Sequence, residues 1–183
     1  MDTQPPSLPT HRAALGCIAP SVVVHHPSAL VASALAMVID RHGVCRVAAT
    51  AASMAETLEL LHDEHPAVLV LSLPGSTARG AAGAITAVKR FAPQTALVLI
   101  SEHRDRPFLA AMLRAGTDAC LHCSETSQRL HEALDAACNA RTYLSPSIMR
   151  DLNRRRQPRR RNASCTLTTA PAPVTRSYTR SAH

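Results

Sequence analysis

Tryptophan is absent from this chain of 183 residues, and two phenylalanines and two tyrosines are its only large aromatic side chains. A core built with so few rings must come from alanine, valine and leucine, which suits helices packed closely on a parallel sheet. No apolar run approaches the roughly 20 residues that a spanning helix needs. The opening Met1-Asp2-Thr3-Gln4-Pro5-Pro6 lacks the basic and apolar regions of a secretory leader. Six cysteines at 17, 45, 120, 123, 138 and 165 are scattered and make no dense disulfide framework. A reducing, cytoplasmic setting is the expectation. Glycine-rich phosphate loops are lacking as well: Pro27-Ser28-Ala29 follows the first apolar run and offers few free backbone donors. With no nucleophile–base pair evident either, an enzyme or flavin carrier is a weak reading, and neither cofactor nor metal is expected.

Positive charge is plentiful but confined. Nine of the 20 basic residues and one of the 13 acidic ones lie from Arg150 onward, so that stretch carries +8 while residues 1–149 carry −1. The chain divides accordingly into a proline-bearing arm (1–20), a globular part (21–152) and an arginine-rich tail (153–183) that composition marks as disordered.

Between the two ends, short apolar runs alternate with helical patterns. Strands are expected at 21–25, 44–48, 67–72, 96–100 and 119–122. Helices fall between them, with Pro27 admissible in the first turn of one and Gly43 and Gly116 as stops. The last helix is expected from Glu125 to Ala140. Five strand–helix units of this length predict a doubly wound parallel sheet with helices on both faces.

Several stretches carry a resemblance. Leu113-Arg114-Ala115-Gly116-Thr117-Asp118-Ala119-Cys120-Leu121, Thr142-Tyr143-Leu144-Ser145-Pro146 and His26-Pro27 are similar to stretches of the receiver domain of bacterial response regulators, in the NarL/LuxR-type subfamily. The resemblance covers roughly 21–152 and implies a flavodoxin-like (βα)5 fold with strand order 2-1-3-4-5. It also implies a phosphorylation site: two acids after strand one holding magnesium, an aspartate acceptor after strand three, a hydroxyl after strand four and a lysine after strand five.

Carboxylates are missing from those positions. The acidic pair is replaced by Val24 and His25, and the acceptor by Ser72 with a shortened loop behind it. Ser101 keeps the hydroxyl, and Cys123 stands for the lysine, or His122 if the alignment slips by one. A hard divalent cation binds oxygen anions, and phosphoryl transfer relies on that cation for charge stabilisation. Neither support is expected here, so Ser72 is read as inactive and the domain as a pseudo-receiver.

Other chemistry-bearing patterns have plainer explanations. His25 and His26 are adjacent on a strand and point to opposite faces, so they cannot easily grip one ion. Cys120-Leu121-His122-Cys123 has CxxC spacing but no second ligand pair, and its first cysteine lies in an apolar strand.

The leading expectation is a non-enzymatic regulator of the two-component type, acting by contact with a protein partner or by pairing with itself, and not at a membrane. Candidate contact faces are Leu30, Leu35 and Val38 on the first helix and Leu130, Leu134 and Cys138 on the last. An alternative gives the work to the tail, where Arg154, Arg155, Arg156, Arg159, Arg160 and Arg161 could contact nucleic-acid phosphates. The 22 residues after that run are too few for the helix-turn-helix domain of the subfamily. Leu167-Thr168-Thr169 nonetheless resembles its opening, as a truncated front part of a DNA-binding regulator would.

Overall fold

A computed structural model describes residues 19–153. The arm and the tail, with all six arginines named above, lie outside the described residues apart from their innermost positions. In chain order the elements are β1 (Ser21–His25), α1 (Ala29–His42), β2 (Arg46–Ala51), α2 (Met54–Glu64), β3 (Val68–Ser72), α3 (Ala78–Phe91), β4 (Ala96–Ser101) and α4 (Arg106–Ala115). They continue with β5 (Ala119–His122), a 3-10 turn (Cys123–Glu125), α5 (Thr126–Cys138), β6 (Tyr143–Leu144) and α6 (Pro146–Asn153). All strands are parallel, in the order β2-β1-β3-β4-β5-β6. The five-strand order is the expected one; the sixth strand extends it.

The valine and leucine runs form central strands because alternate residues bury on opposite faces. Val22, Val24, Val68, Val70, Val98, Ile100 and Leu121 pack with Ile39 of α1 and Leu130 and Leu134 of α5. Val23, Leu69, Leu71, Leu97, Leu99 and Cys120 pack with Leu61 of α2, Ile85 and Val88 of α3, Leu109 and Met112 of α4, and Ile148 of α6. Two aliphatic layers thus do the work that aromatic rings do elsewhere.

Helix boundaries follow local hydrogen bonding. Ser53 and Glu56 cap α2 from both sides: the serine hydroxyl accepts from the Glu56 N–H, and the glutamate accepts from the Ala52 N–H. Thr77 and Asp105 cap α3 and α4 in the same serine-like manner. Gly116 ends α4 at φ +107°, and an added Cβ would sit 3.1 Å from Lys89 Cγ, so this position needs glycine on two counts.

Several boundaries differ from the sequence reading; α5 spans Thr126–Cys138, not 125–140, and is not the last helix. β2 runs 46–51, not 44–48, because its ladder to β1 pairs Ser21 with Arg46 and His25 with Ala51; Val44 and Cys45 pack beneath the sheet instead. Pro27 precedes α1 without joining it, since Ser28 is the cap. Tyr143-Leu144 is a short strand against Ala119 and Cys120, and Pro146 starts α6, whose Ile148 is wholly buried.

Candidate functional site

The carboxyl edge of the sheet gathers the residues of interest. Parallel register places His25 beside Leu71, Ser72 beside Ile100 and Ser101 beside His122, with Cys123 next in the chain. Val24 is fully buried among the apolar residues under α1 and α5. Ser72 and Ser101 are buried, and Cys123 is exposed. Among the described residues no hydrogen bond joins His25, Ser72, Ser101 and Cys123 to one another.

His25 is instead committed sideways. Its Nδ1 lies 2.8 Å from Thr57 Oγ1. The Thr57 hydroxyl donates its one proton to the Ser53 carbonyl, also at 2.8 Å, so its oxygen accepts from Nδ1–H and fixes the tautomer. Burial, reinforced by the neighbouring His26, holds the His25 pKa below its ordinary 6.5, against opposing contributions from Ser53 and Glu56. The imidazole at this edge is therefore neutral. His26 turns the other way, its Nδ1 accepting from the Ser28 N–H at 2.9 Å.

Ser101 is held by its own loop. Its hydroxyl accepts from the His103 N–H at 3.0 Å and reaches the His103 carbonyl at 3.3 Å. The His103 ring stacks on Phe108 with centroids 4.1 Å apart, and its Nε2 donates to the Ser76 carbonyl at 3.1 Å. One side chain thus pins the β4–α4 loop to the β3–α3 loop. A second tie is the Arg104–Asp151 pair at 2.8 Å, which joins the same loop to α6.

Carboxylates in the loops at this edge are mostly occupied elsewhere. Glu56 and Asp105 are helix caps. Glu125 accepts from Ser147; desolvation alone would raise its pKa, but hydrogen bonds from Ser145 and Ser147 outweigh that and hold it below the usual carboxylate range. Glu102 follows Ser101 and is exposed. The donor set at the strand ends is an apolar valine, a neutral imidazole, two hydroxyls and a thiol, which does not suit a magnesium ion. Among the described residues there is no group of three or more His, Cys, Asp or Glu placed to hold a metal.

The CxxC stretch stays divided. Cys120 is buried in β5, where desolvation pushes its thiol up to about 12, while Cys123 lies outside on the turn. Of the suggested contact faces, Leu130 and Leu134 are turned into the core. Leu35, Val38 and Cys138 pack partly against it. Leu30 is open, with Met37 one repeat further along α1. No described helix is long and apolar enough to cross a membrane.

Thr57 and His103 organise this edge, yet neither stood out in the sequence. Thr57 reads as one polar residue in an apolar helix stripe; its place four residues after the capping serine was the available clue. His103 carried no local signal, because its partner Ser76 lies 27 positions away.

Solved structures match this fold. A LuxR-family two-component response regulator from Aurantimonas sp. SI85-9A1 superposes with a TM-score of 0.66 at 21% identity, over 73% of this chain and 94% of that one. The chain has the fold of a response-regulator receiver domain. The isolated receiver domain of RcsB from Salmonella enterica serovar Typhimurium, solved with the phosphomimetic BeF3-, gives 0.65 at 16% identity over 73% and 98% of the two chains. The signal receiver domain of the putative response regulator NarL from Mycobacterium tuberculosis gives 0.59 at 24% over 67% and 98%. No protein-family model matches the sequence, and no curated protein matches it.

Proposed function

We propose that this chain is a degenerate receiver module of a two-component-type transcriptional regulator, which acts by protein contact without aspartyl phosphorylation. The observation that carries the reading is the donor set at the carboxyl edge: Val24, His25 and Ser72 stand where an acidic pair and an acceptor aspartate would be needed. A serine ester at Ser72 would lack the reactivity of an acyl phosphate, and without anionic ligands the transferring group has no metal to offset its charge. The Ser101 hydroxyl and its loop are already held by His103, which favours one fixed conformation. Any switching then requires a partner with different affinity for two states. RcsB, whose fold is similar, has been solved as two dimers bound to two parallel DNAs; by analogy the partner here is a second copy or a regulator that contacts DNA.

Incubation of the purified chain with acetyl phosphate and magnesium tests this. No phosphorylated species is expected by intact mass under conditions that label an active receiver. A stable adduct mapping to Ser72 or any other strand-end residue would overturn the proposal.

A second reading rests on the arginine run 154–161. If the tail binds nucleic acid, retention on DNA should fall steeply with salt and disappear when residues 153–183 are deleted. Salt-insensitive retention, or retention by the truncated chain, would speak against it.

A further inference from the structure

Cys45 and Cys138 are 93 positions apart in sequence, and their sulfur atoms are 3.4 Å apart. Cys45 sits buried just before β2; Cys138 is the last residue of α5 and is half-buried. Both lie in the layer between the sheet, α1 and α5, at the amino edge of the strands and away from Ser72 and Ser101. A disulfide spans about 2.05 Å, so the sulfurs have roughly 1.3 Å to close, within reach of side-chain rotation.

We propose that Cys45 and Cys138 form a reversible disulfide by exchange with a low-molecular-weight disulfide such as oxidised glutathione. The two thiols are unlike partners. Either sulfur can donate across this contact, and the contact with Cys45 holds the Cys138 thiol below its ordinary value. That same bond, with burial, pushes the Cys45 thiol well up. Cys138 is also the more accessible sulfur, so it attacks first. Its thiolate bonds to one glutathione sulfur, the S–S bond of the oxidant breaks, and one glutathione leaves as a thiol carrying the proton that Cys138 gave up. Cys45 then loses its proton and attacks the Cys138 sulfur, and the second glutathione leaves as a thiol with that proton. Two protein thiols are oxidised and one glutathione disulfide is reduced to two glutathione molecules.

The bond would fasten the segment leading into β2 to the end of α5. Closing so long a loop restricts the unfolded chain and stabilises this end of the domain. Reduced glutathione reverses the exchange, so the ratio of the two forms would set the stability of the α1–α5 side.

The test equilibrates the full chain with glutathione redox mixtures under argon, followed by acid quenching, alkylation and peptide mapping. The expected product is a Cys45–Cys138 cross-linked peptide pair, lighter by two hydrogens than the two reduced peptides together. The Tm of the oxidised protein should be higher by roughly 5–10 °C, reversibly with dithiothreitol. Cys45→Ala should leave glutathione trapped on Cys138, and Cys138→Ala should leave Cys45 unmodified. Recovery of both cysteines as free thiols at the most oxidising ratio would overturn the proposal, as would a bond that appears only in urea. Should either variant misfold, the mapping of the unaltered chain decides alone.

Discussion

The strand ends at the two edges of the sheet handle charge in opposite ways. At the amino edge Asp118 accepts from Lys89 Nζ at 2.6 Å and from the Leu97 N–H at 2.7 Å, while Lys89 also donates to the Thr95 carbonyl. One partly exposed ion pair thereby ties α3 to the starts of β4 and β5. At the carboxyl edge the strand ends carry valine, neutral histidine, serine and cysteine; the tethers run through Thr57 and His103, and charge enters only away from the strand ends, in the Arg104–Asp151 pair. Charge holds the scaffold at the amino edge, and on the proposed reading it is missing from the strand ends where a receiver would perform its chemistry.

Placing a carboxylate back at the carboxyl edge should have the largest effect. Val24→Asp puts an uncompensated acid into a fully buried position and is expected to cost about 3–5 kcal/mol by urea unfolding, with or without magnesium. A loss below about 1 kcal/mol, or recovery on adding magnesium, would show that an ion-holding geometry survives there.

Removing charge from the amino edge should matter less but clearly. Asp118→Ala strips a partner from both Lys89 and the Leu97 amide, and about 1–3 kcal/mol is expected. The partial exposure of both side chains places the value toward the low end. A neutral result would mean that the pair is only a surface contact.

His25 supplies a pH signature of the carboxyl edge. Its folded pKa lies below the ordinary 6.5, so the unfolded chain binds its proton first as pH falls. The stabilising contribution is complete above about pH 6.5 and is lost as pH drops from there through the folded value. In His25→Gln that part of the slope should vanish, leaving a flatter Tm profile between pH 7 and pH 5. An unchanged slope would assign the dependence to other groups. The smallest effect is expected for Ser72→Ala, within about 0.5 kcal/mol, because no hydrogen bond of its side chain is seen. A larger loss would reveal a partner for that hydroxyl.

How far the sequence reaches depends on the range of the interaction. Val22-Val23-Val24 and Val68-Leu69-Val70-Leu71 announce buried parallel strands because every residue carries the same local message. Gly43 and Gly116 placed the ends of α1 and α4. Tyr143-Leu144 did not read as a strand, since two residues make no periodic signal and their order comes from pairing with Ala119 and Cys120. β2 was displaced for a similar reason: its alanines and threonine are weakly apolar, and β1 sets the register. The positions at the carboxyl edge were legible as strand ends. Their partners were not, because His25 meets Thr57 across 32 positions and Cys45 meets Cys138 across 93.

On the proposed reading the carboxyl edge seats no divalent ion and no phosphoryl group. Backbone amide spectra recorded during titration with magnesium and beryllofluoride address it residue by residue. The signals of His25, Ser72, Ser101 and Cys123 should stay in place up to millimolar concentrations. Saturable shifts confined to those residues would contradict it.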